Sequence, residues 1–557
     1  MLRFAENPGW SAVGLGVLGA LAWAAAWPIL GADLVIDDLV YQVTARWVER
    51  PLSAFWTSHF YEPLYFRPVG LITWWLVQRL AEEAPQAQFA TNLALHVANA
   101  ILLAVVLRAV GVGRRAVLVA ASVASLGPAT LTAALWPSNR FDLLAVFWLL
   151  SAARLSLAVL ARSAAAPQRR STIALFLLAM VAAVLACFSK ELAYPVVVAL
   201  ALVVSLTRRM GEVAIDWRIA VAVGLSLLVV ALGCAAWRHV ILPHAYAAVP
   251  ADPLTAGWQG LLAWVAAFVE WSDRLWPGQG WTLSAVVFAA LATSGWFCLA
   301  SPVLRSRALA VAILGGAAIL PQLALAGGFA VMLNGEPLGT VSYARFFYAP
   351  WVVMAALLAV GSDAMPPRLR FVWMVSLAAG LVLIAFRVNA TAEMFRQWST
   401  GGLREVTREA ALVMERVVTE REDAATLGDC VVVFLDTASA DAGGWFARFS
   451  DVATKANSRN SDRWASCHVM TETTPFVFVR RATDEQPSPV GLVPIINPDG
   501  RPKVDQSWDG VRYRYRLPPP DLSVLQSARF FVWRMSGFVE ITQVVREGRR
   551  PIASRGW

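Results

Sequence analysis

Residues 11–30, SAVGLGVLGALAWAAAWPIL, carry no charge, and residues 171–188, STIALFLLAMVAAVLACF, carry none either. Each is close to the roughly 20 apolar residues that a helix needs to cross a bilayer. Further runs of the same kind follow along the chain. Across its 557 residues 58% are hydrophobic and only 15% are charged, which is more apolar than a soluble core of this length accommodates. The sequence therefore predicts a polytopic α-helical membrane protein. The first run is long and has many successors, so it reads as a retained helix and not a cleaved signal.

The net charge of +9 does not point to nucleic acid, because the arginines sit in short loops between apolar runs. Five such loops hold Arg108, Arg114 and Arg115; Arg162, Arg169 and Arg170; Arg208 and Arg209; Arg305 and Arg307; and Arg368 and Arg370. All five face the cytoplasm if eleven helices span the membrane, near 10–30, 88–109, 116–136, 141–161, 172–188, 192–207, 219–238, 282–301, 308–329, 344–362 and 370–388. Two further apolar pieces, 67–81 and 256–276, are flanked or interrupted by charge and suit interfacial helices. The multi-span part is thus expected over residues 1–390, with a large first outer loop at 31–87. Residues 391–557 are expected to form a soluble extracytoplasmic α/β or α+β domain. There 403–418 has helical periodicity, and 430–435, 475–481, 511–517 and 538–545 read as strands.

With that orientation the polar motifs collect on the outer side. They are the pair Asp37–Asp38, HFYEPLYFRP (59–68), Asn92 and His96 near a helix entrance, WPSNRFD (136–142), SKEL (189–192) and SYARFFY (342–348). Ionisable groups at membrane depth are costly and mark functional sites. Asn92, His96 and Asn99 share one helical face. Lys190 is the only lysine before position 455 in a chain that otherwise uses arginine, which singles it out as a specific point charge. Lys190, Arg67, Arg140 and Arg345 suit a phosphate, Arg by bidentate contact and Lys as a point charge. A neighbouring carboxylate suits a general base, and a phosphate leaving group needs the cations.

The ordered set of Asp37–Asp38, YFRP (65–68), NLALHVAN (92–99), WPSNRFD, SKE (189–191) and RFFYAP (345–350) resembles the GT-C glycosyltransferases that use polyprenyl-phosphate sugars. It is most similar to the membrane part of the transmembrane, tetratricopeptide-repeat O-mannosyltransferases and their bacterial relatives, over roughly residues 10–390. The tail has no tetratricopeptide repeats. The resemblance implies an inverting transfer of a sugar from a polyprenyl-phosphate donor to a hydroxyl of a glycan, lipid or protein. One of Asp37 and Asp38 would be the base. Lys190, Arg345, Arg67 and Arg140 would meet the donor phosphate, and Glu191, His96, Asn92, Asp142, Tyr65 and Tyr348 would support them. Paired acids are compatible with Mg²⁺ or Mn²⁺, and an Asp also acts as a base without metal. The expected partners are the lipid-linked donor, the acceptor and membrane lipids, with no nucleic acid. Arginine-rich, lysine-poor usage points to a GC-rich bacterial genome, hence to an inner-membrane protein with its tail in the periplasm. The alternatives are a lipid or polysaccharide transporter, which would need polar groups deep in several helices, and a non-catalytic assembly protein.

Overall fold

In a computed structural model the described residues are chiefly 8–34, 66–81, 84–127, 133–165, 169–210, 213–242, 302–330, 348–400, 402–422, 431–436, 464–469, 476–481, 505–508, 513–516, 529–534 and 537–547, with scattered positions between 38 and 56, at 130, and between 278 and 297. The chain divides into two units. The first holds Met1–Leu30, Phe66–Gly70 and Phe89–Ala392, and the second holds Gly31–Tyr65, Leu71–Gln88 and Glu393–Trp557.

The first unit is a helical bundle. Its apolar runs become α1 (Pro8–Ala26), most of α3 (Pro85–Ala109), α4 (Arg114–Leu126), α5 (Arg140–Ala165), α6 (Arg169–Cys187), α7 (Ala193–Leu206), α8 (Trp217–Ile241), α9 (Pro302–Ala330), α10 (Tyr348–Ala364) and most of α11 (Pro367–Thr400); α2 (Pro68–Leu80) starts here and continues in the second unit. Among the described residues five helices are long and apolar enough to cross a membrane: Val13–Gly31, Pro85–Ala109, Pro137–Ser163, Arg170–Cys187 and Trp217–Ile241. Two more apolar helices are shorter, Ala193–Leu206 and Tyr348–Ala364. The predicted piece 256–276 lies outside the described residues, as does most of 282–301.

Small side chains let these helices approach closely. Ala120, Ala121, Ala182, Ala183, Ala186, Ala355 and Ala359 are all buried in one core. At Gly224 in α8 a Cβ would stand 1.9 Å from Ser205 Oγ on α7, so only glycine fits that crossing. The outward faces are apolar too. Ile173, Leu177, Leu178 and Val181 of α6 and Leu225, Val229 and Leu232 of α8 are exposed, a pattern that favours a lipid surround over water.

The predicted span 116–136 stops early, because α4 ends at Leu126. Gly127 follows, packed so tightly that a Cβ there would sit 2.1 Å from Trp351 Nε1, and Pro128 in the sequence disfavours helix at the residue before it.

The two ends of the bundle differ in chemistry. At one, Arg307 Nη1 donates to Gly111 O at 3.2 Å, Gly113 N donates to Asp363 Oδ2 at 3.1 Å, and Arg370 Nη2 donates to Asp363 O at 2.7 Å. Three of the five arginine loops therefore meet there. The site lies toward the opposite end, about 24 Å away along α3 at about 1.5 Å per residue from Arg108 to Asn92.

In the second unit α12 (Gly402–Glu422) packs on a five-stranded sheet made of β3 (Val431–Asp436), β4 (Trp464–Val469), β5 (Phe476–Arg481), β8 (Arg529–Arg534) and β9 (Gly537–Glu540). The strand order is β4-β5-β3-β8-β9, with β3 and β8 parallel and the other pairs antiparallel. A separate hairpin joins β6 (Asp505–Trp508) to β7 (Tyr513–Arg516); the first unit holds a short one, β1 (Arg209–Met210) with β2 (Val213–Ala214). The predicted strand 538–545 ends at Glu540, and Thr542–Arg546 turns into a short helix. There Glu540 is held by Arg529 and by the Thr542 hydroxyl, at 2.7 Å.

Candidate active site

The Ser–Lys–Glu turn is the centre of the site. As α6 ends, Ser189 N donates to Ala186 O at 3.0 Å and the Ser189 hydroxyl to Leu185 O at 2.7 Å. Ala193 N then donates to Lys190 O at 3.0 Å and α7 begins. The start of α2 docks on this turn, with Val69 N donating to Phe188 O at 3.2 Å and Phe66 packing edge-on against Phe188. A reversal pinned by so many backbone bonds fixes the directions of Lys190 and Glu191.

Lys190 Nζ is paired with Asp142 Oδ2, and the two side chains are 10% and 2% exposed. Asp142 lies in the first turn of α5, where a carboxylate also complements the helix N-terminus. Its other oxygen, Oδ1, is buried without a hydrogen-bond partner among the described residues. Burial is the strongest influence on Lys190 and lowers its pKa; Asp142 opposes this by favouring the ammonium form.

Glu191 receives Arg67, whose Nε lies 2.9 Å from Oε2 and whose Nη2 lies 2.8 Å from the same oxygen. Arg238, in the last turn of α8, approaches Glu191 Oε1 at 3.9 Å. Burial would raise the Glu191 pKa, but the Arg67 charge and hydrogen bond, with Arg238, hold it below the ordinary carboxylate value. Arg67 also lies over the Phe141 ring at 5.4 Å.

The helical stripe on α3 works as a scaffold. Asn92 Nδ2 donates to Trp136 O at 2.9 Å, while its Oδ1 accepts from Arg140 Nε at 2.9 Å. Arg140 is wholly buried. His96 Nε2 is 2.8 Å from Ser125 O and its Nδ1 is 3.2 Å from the Tyr348 hydroxyl. A carbonyl only accepts, so Nε2 carries the proton and Nδ1 accepts from the phenol. Asn99 Nδ2 donates to Leu143 O at 2.9 Å and to the Tyr348 hydroxyl at 3.0 Å. Both ring nitrogens of His96 are thereby engaged by protein groups.

Of the residues singled out in the sequence, the first unit brings Arg67, Asn92, His96, Arg140, Asp142, Lys190, Glu191 and Tyr348 into this set of contacts. Arg238 is added to them. In the sequence Arg238, beside His239 and His244 in RHVILPHAY, is only a minor phosphate candidate. Arg67, Arg140, Lys190 and Arg238 outnumber Asp142 and Glu191, so among the described residues of this unit the cluster is cationic. Asp37, Tyr65 and Arg345 lie outside the described residues. Asp38 belongs to the second unit, where it is wholly buried, as Tyr41 and Ala45 are buried. Tyr41 stacks against Trp74 at 5.7 Å. Among the described residues no group of three or more His, Cys, Asp or Glu side chains is placed to hold a metal ion.

No family model matches the chain, and no curated protein does. Among solved structures, the archaeal oligosaccharyltransferase AglB from Archaeoglobus fulgidus, in complex with an inhibitory peptide and a dolichol-phosphate, is similar over 80% of this chain and 64% of its own, at 11% identity and a TM-score of 0.45. The Archaeoglobus fulgidus oligosaccharyltransferase in complex with Zn and sulfate is similar over 79% of this chain and 61% of its own, at 12% identity and a TM-score of 0.45. Its apo form gives 75%, 59%, 12% and 0.44 for the same quantities. The chain spans less than two thirds of the length of these neighbours.

Proposed function

We propose that this chain is an inverting membrane glycosyltransferase that moves a sugar from a polyprenyl-phosphate donor to a hydroxyl acceptor. The observation that carries the reading is the convergence of Arg67, Lys190 and Arg238 on one turn, at the end of an apolar bundle opposite its arginine loops. Buried cations are costly unless an anion is nearby. Asp142 and Glu191 meet that need for Lys190 and Arg67 and hold them as a fixed positive surface; a lipid phosphate suits that surface, and its chain has an apolar helical surface to lie against. The motif order resembling the GT-C enzymes supports the same reading.

In the reaction the acceptor oxygen attacks the anomeric carbon from the face opposite the phosphate. The bond from that carbon to the phosphate oxygen breaks, its electron pair leaves with the phosphate, and the acceptor proton passes to a carboxylate. We assign that carboxylate to the Asp37–Asp38 pair. Lys190 and Arg67, with Arg345, take the growing phosphate charge, an electrostatic role that costs no reorganisation when the donors are already fixed. Asp142 and Glu191 hold Lys190 and Arg67 in place. Arg140, tied to Asn92, braces the helix entrance on the phosphate side. A divalent cation, Mg²⁺ or Mn²⁺, would screen the phosphate further if the acidic pair binds one. The protein then lies in a bacterial inner membrane with its tail in the periplasm.

The test is transfer of radiolabelled sugar from a panel of polyprenyl-phosphate sugars by purified protein in liposomes, for wild type, Asp37→Asn, Asp38→Asn and Lys190→Ala. Transfer by wild type that one of the two Asp changes abolishes in a folded protein supports the reading and names the base. Absence of transfer from every donor refutes it.

A further inference from the structure

The acidic loop begins where α1 ends, and the second unit shows what holds its first residues. Gly31 lies against the stem of Arg396: a Cβ there would stand 3.0 Å from Arg396 Cδ. That stem is itself fixed, since Arg396 Nε donates to Glu393 Oε2 at 2.8 Å. Two residues further on, Asp33 N donates to the Ser399 hydroxyl at 3.1 Å, and Ser399 Oγ donates in turn to Arg396 O at 3.0 Å. Ser399 is 1% exposed, so water does not substitute for either bond. Across the break between helices, Arg404 Nη1 stands 3.3 Å from Asp33 Oδ2. Burial pushes the Asp33 carboxyl up, and the Arg404 charge is the opposing influence that favours its ionised form.

These contacts come from the last turn of α11 and the first of α12. α12 continues onto the sheet, where Arg416 lies 5.3 Å from the Phe531 ring and 3.9 Å from Glu540 Oε2. Asp37 and Asp38 follow Asp33 by four and five residues, a reach of at most about 14–18 Å even fully extended. Among the described residues, the root of the acidic loop is thus tied to the end of α11 and the start of α12, the helix that continues onto the sheet.

We propose that the elbow between α11 and α12 positions the acidic loop, with Ser399 and Arg404 as positioning residues, so that the C-terminal domain sets where the catalytic carboxylate stands. The proposal rests on the glycosyltransferase reading for its catalytic consequence, and its structural part stands on the Asp33 contacts alone. The exposed Arg404–Asp33 pair is weak in isolation. Its effect is on register: a displacement of about 1 Å in a reacting group costs on the order of 100-fold in rate.

The test uses the full chain in nanodiscs. Ser399→Ala, Arg404→Glu and Asp33→Arg are compared with wild type, with the conservative Ser399→Thr and with the charge swap Asp33→Arg/Arg404→Glu. Hydrogen exchange of the peptide containing residues 31–36 is read together with kcat and donor KM. The expected result is faster exchange in Ser399→Ala and Arg404→Glu and a kcat lower by on the order of 100-fold, the effect of a displacement of about 1 Å. Donor KM stays within about twofold, since the phosphate cluster is untouched. Ser399→Thr keeps its hydroxyl and the swap restores the charge pair, so both recover kcat. Unchanged exchange in Ser399→Ala and Arg404→Glu overturns the proposal, and so does loosened exchange with full kcat. If wild type transfers no sugar, the glycosyltransferase reading fails, and the exchange comparison alone decides whether the elbow holds the loop.

Discussion

The Lys190–Asp142 pair offers the sharpest quantitative prediction. Both side chains are almost fully enclosed, at 10% and 2% exposure. Removing one partner of a buried pair leaves an uncompensated charge and costs about 3–5 kcal/mol, whereas replacing both with apolar groups of similar volume is often near neutral. Lys190→Met leaves Asp142 as a carboxylate that also has an unpartnered Oδ1 among the described residues, and it is expected near the top of that range. Asp142→Asn leaves Lys190 buried, with the Arg67 charge disfavouring its ammonium form more than Glu191 favours it, so its cost lies within the same range. The double variant Lys190→Met/Asp142→Leu is expected to be more stable than either single change. Equilibrium unfolding in detergent completes the cycle, with a coupling above about 1 kcal/mol expected for groups in contact. Single-variant losses below about 1 kcal/mol, the range of exposed pairs, with no coupling, would refute the placement of this pair in a dry site.

Three further outcomes follow from the same geometry. Gly70→Ala would put a Cβ 2.0 Å from Phe141 Cδ1, so it should destabilise by about 1–3 kcal/mol and Phe141→Leu should relieve it; thermal unfolding of the single and double variants checks this. Tyr348→Phe strips the hydroxyl that His96 and Asn99 share, leaving a buried acceptor unmet, and should cost about 1–3 kcal/mol by the same assay; a variant as stable as wild type counts against the buried His96–Tyr348 hydrogen bond. Glu191 has its pKa held below its ordinary value of 4.5, so its stabilisation is complete above that pH and is lost as pH falls through the lower folded-state value. Melting curves between pH 7 and about pH 3 should therefore show an acid loss in wild type that Glu191→Gln lacks.

Much of this was legible in the sequence, for identifiable reasons. The apolar runs specify helices by length and composition, and eight of the residues named from motifs meet in one bundle. The stripe Asn92–His96–Asn99 follows from helical period alone, and all three side chains take tertiary partners on that face. Lys190 stood out because lysine is rare here. The pairings were not legible: Lys190 lies 48 positions from Asp142 and Arg67 lies 124 from Glu191, separations that only tertiary packing decides. Arg238 stood only as a minor phosphate candidate because nothing local ties it to Glu191, and Asp33 was overshadowed by the acidic pair after it. The short α4 was missed because apolar character continues through residue 136, while a glycine against Trp351 and a proline end the helix first. Strands β4 and β6 were missed because serine, aspartate and glutamine dilute their apolar pattern, and β8, RFFVWR, was missed because its short apolar run between two arginines shows no alternation.

The central claim is that the turn at Lys190 and Glu191 holds a lipid phosphate. It is tested most directly by titrating a short-chain polyprenyl phosphate into the full chain in nanodiscs and reading binding for wild type, Lys190→Met/Asp142→Leu, Arg67→Gln and Arg238→Gln. The double variant is expected to keep the fold while removing the point charge, and each lost charged contact is expected to weaken binding by about tenfold or more. Saturable wild-type binding that all three variants weaken is the predicted result. Binding that none of them changes, in proteins that remain folded, contradicts it.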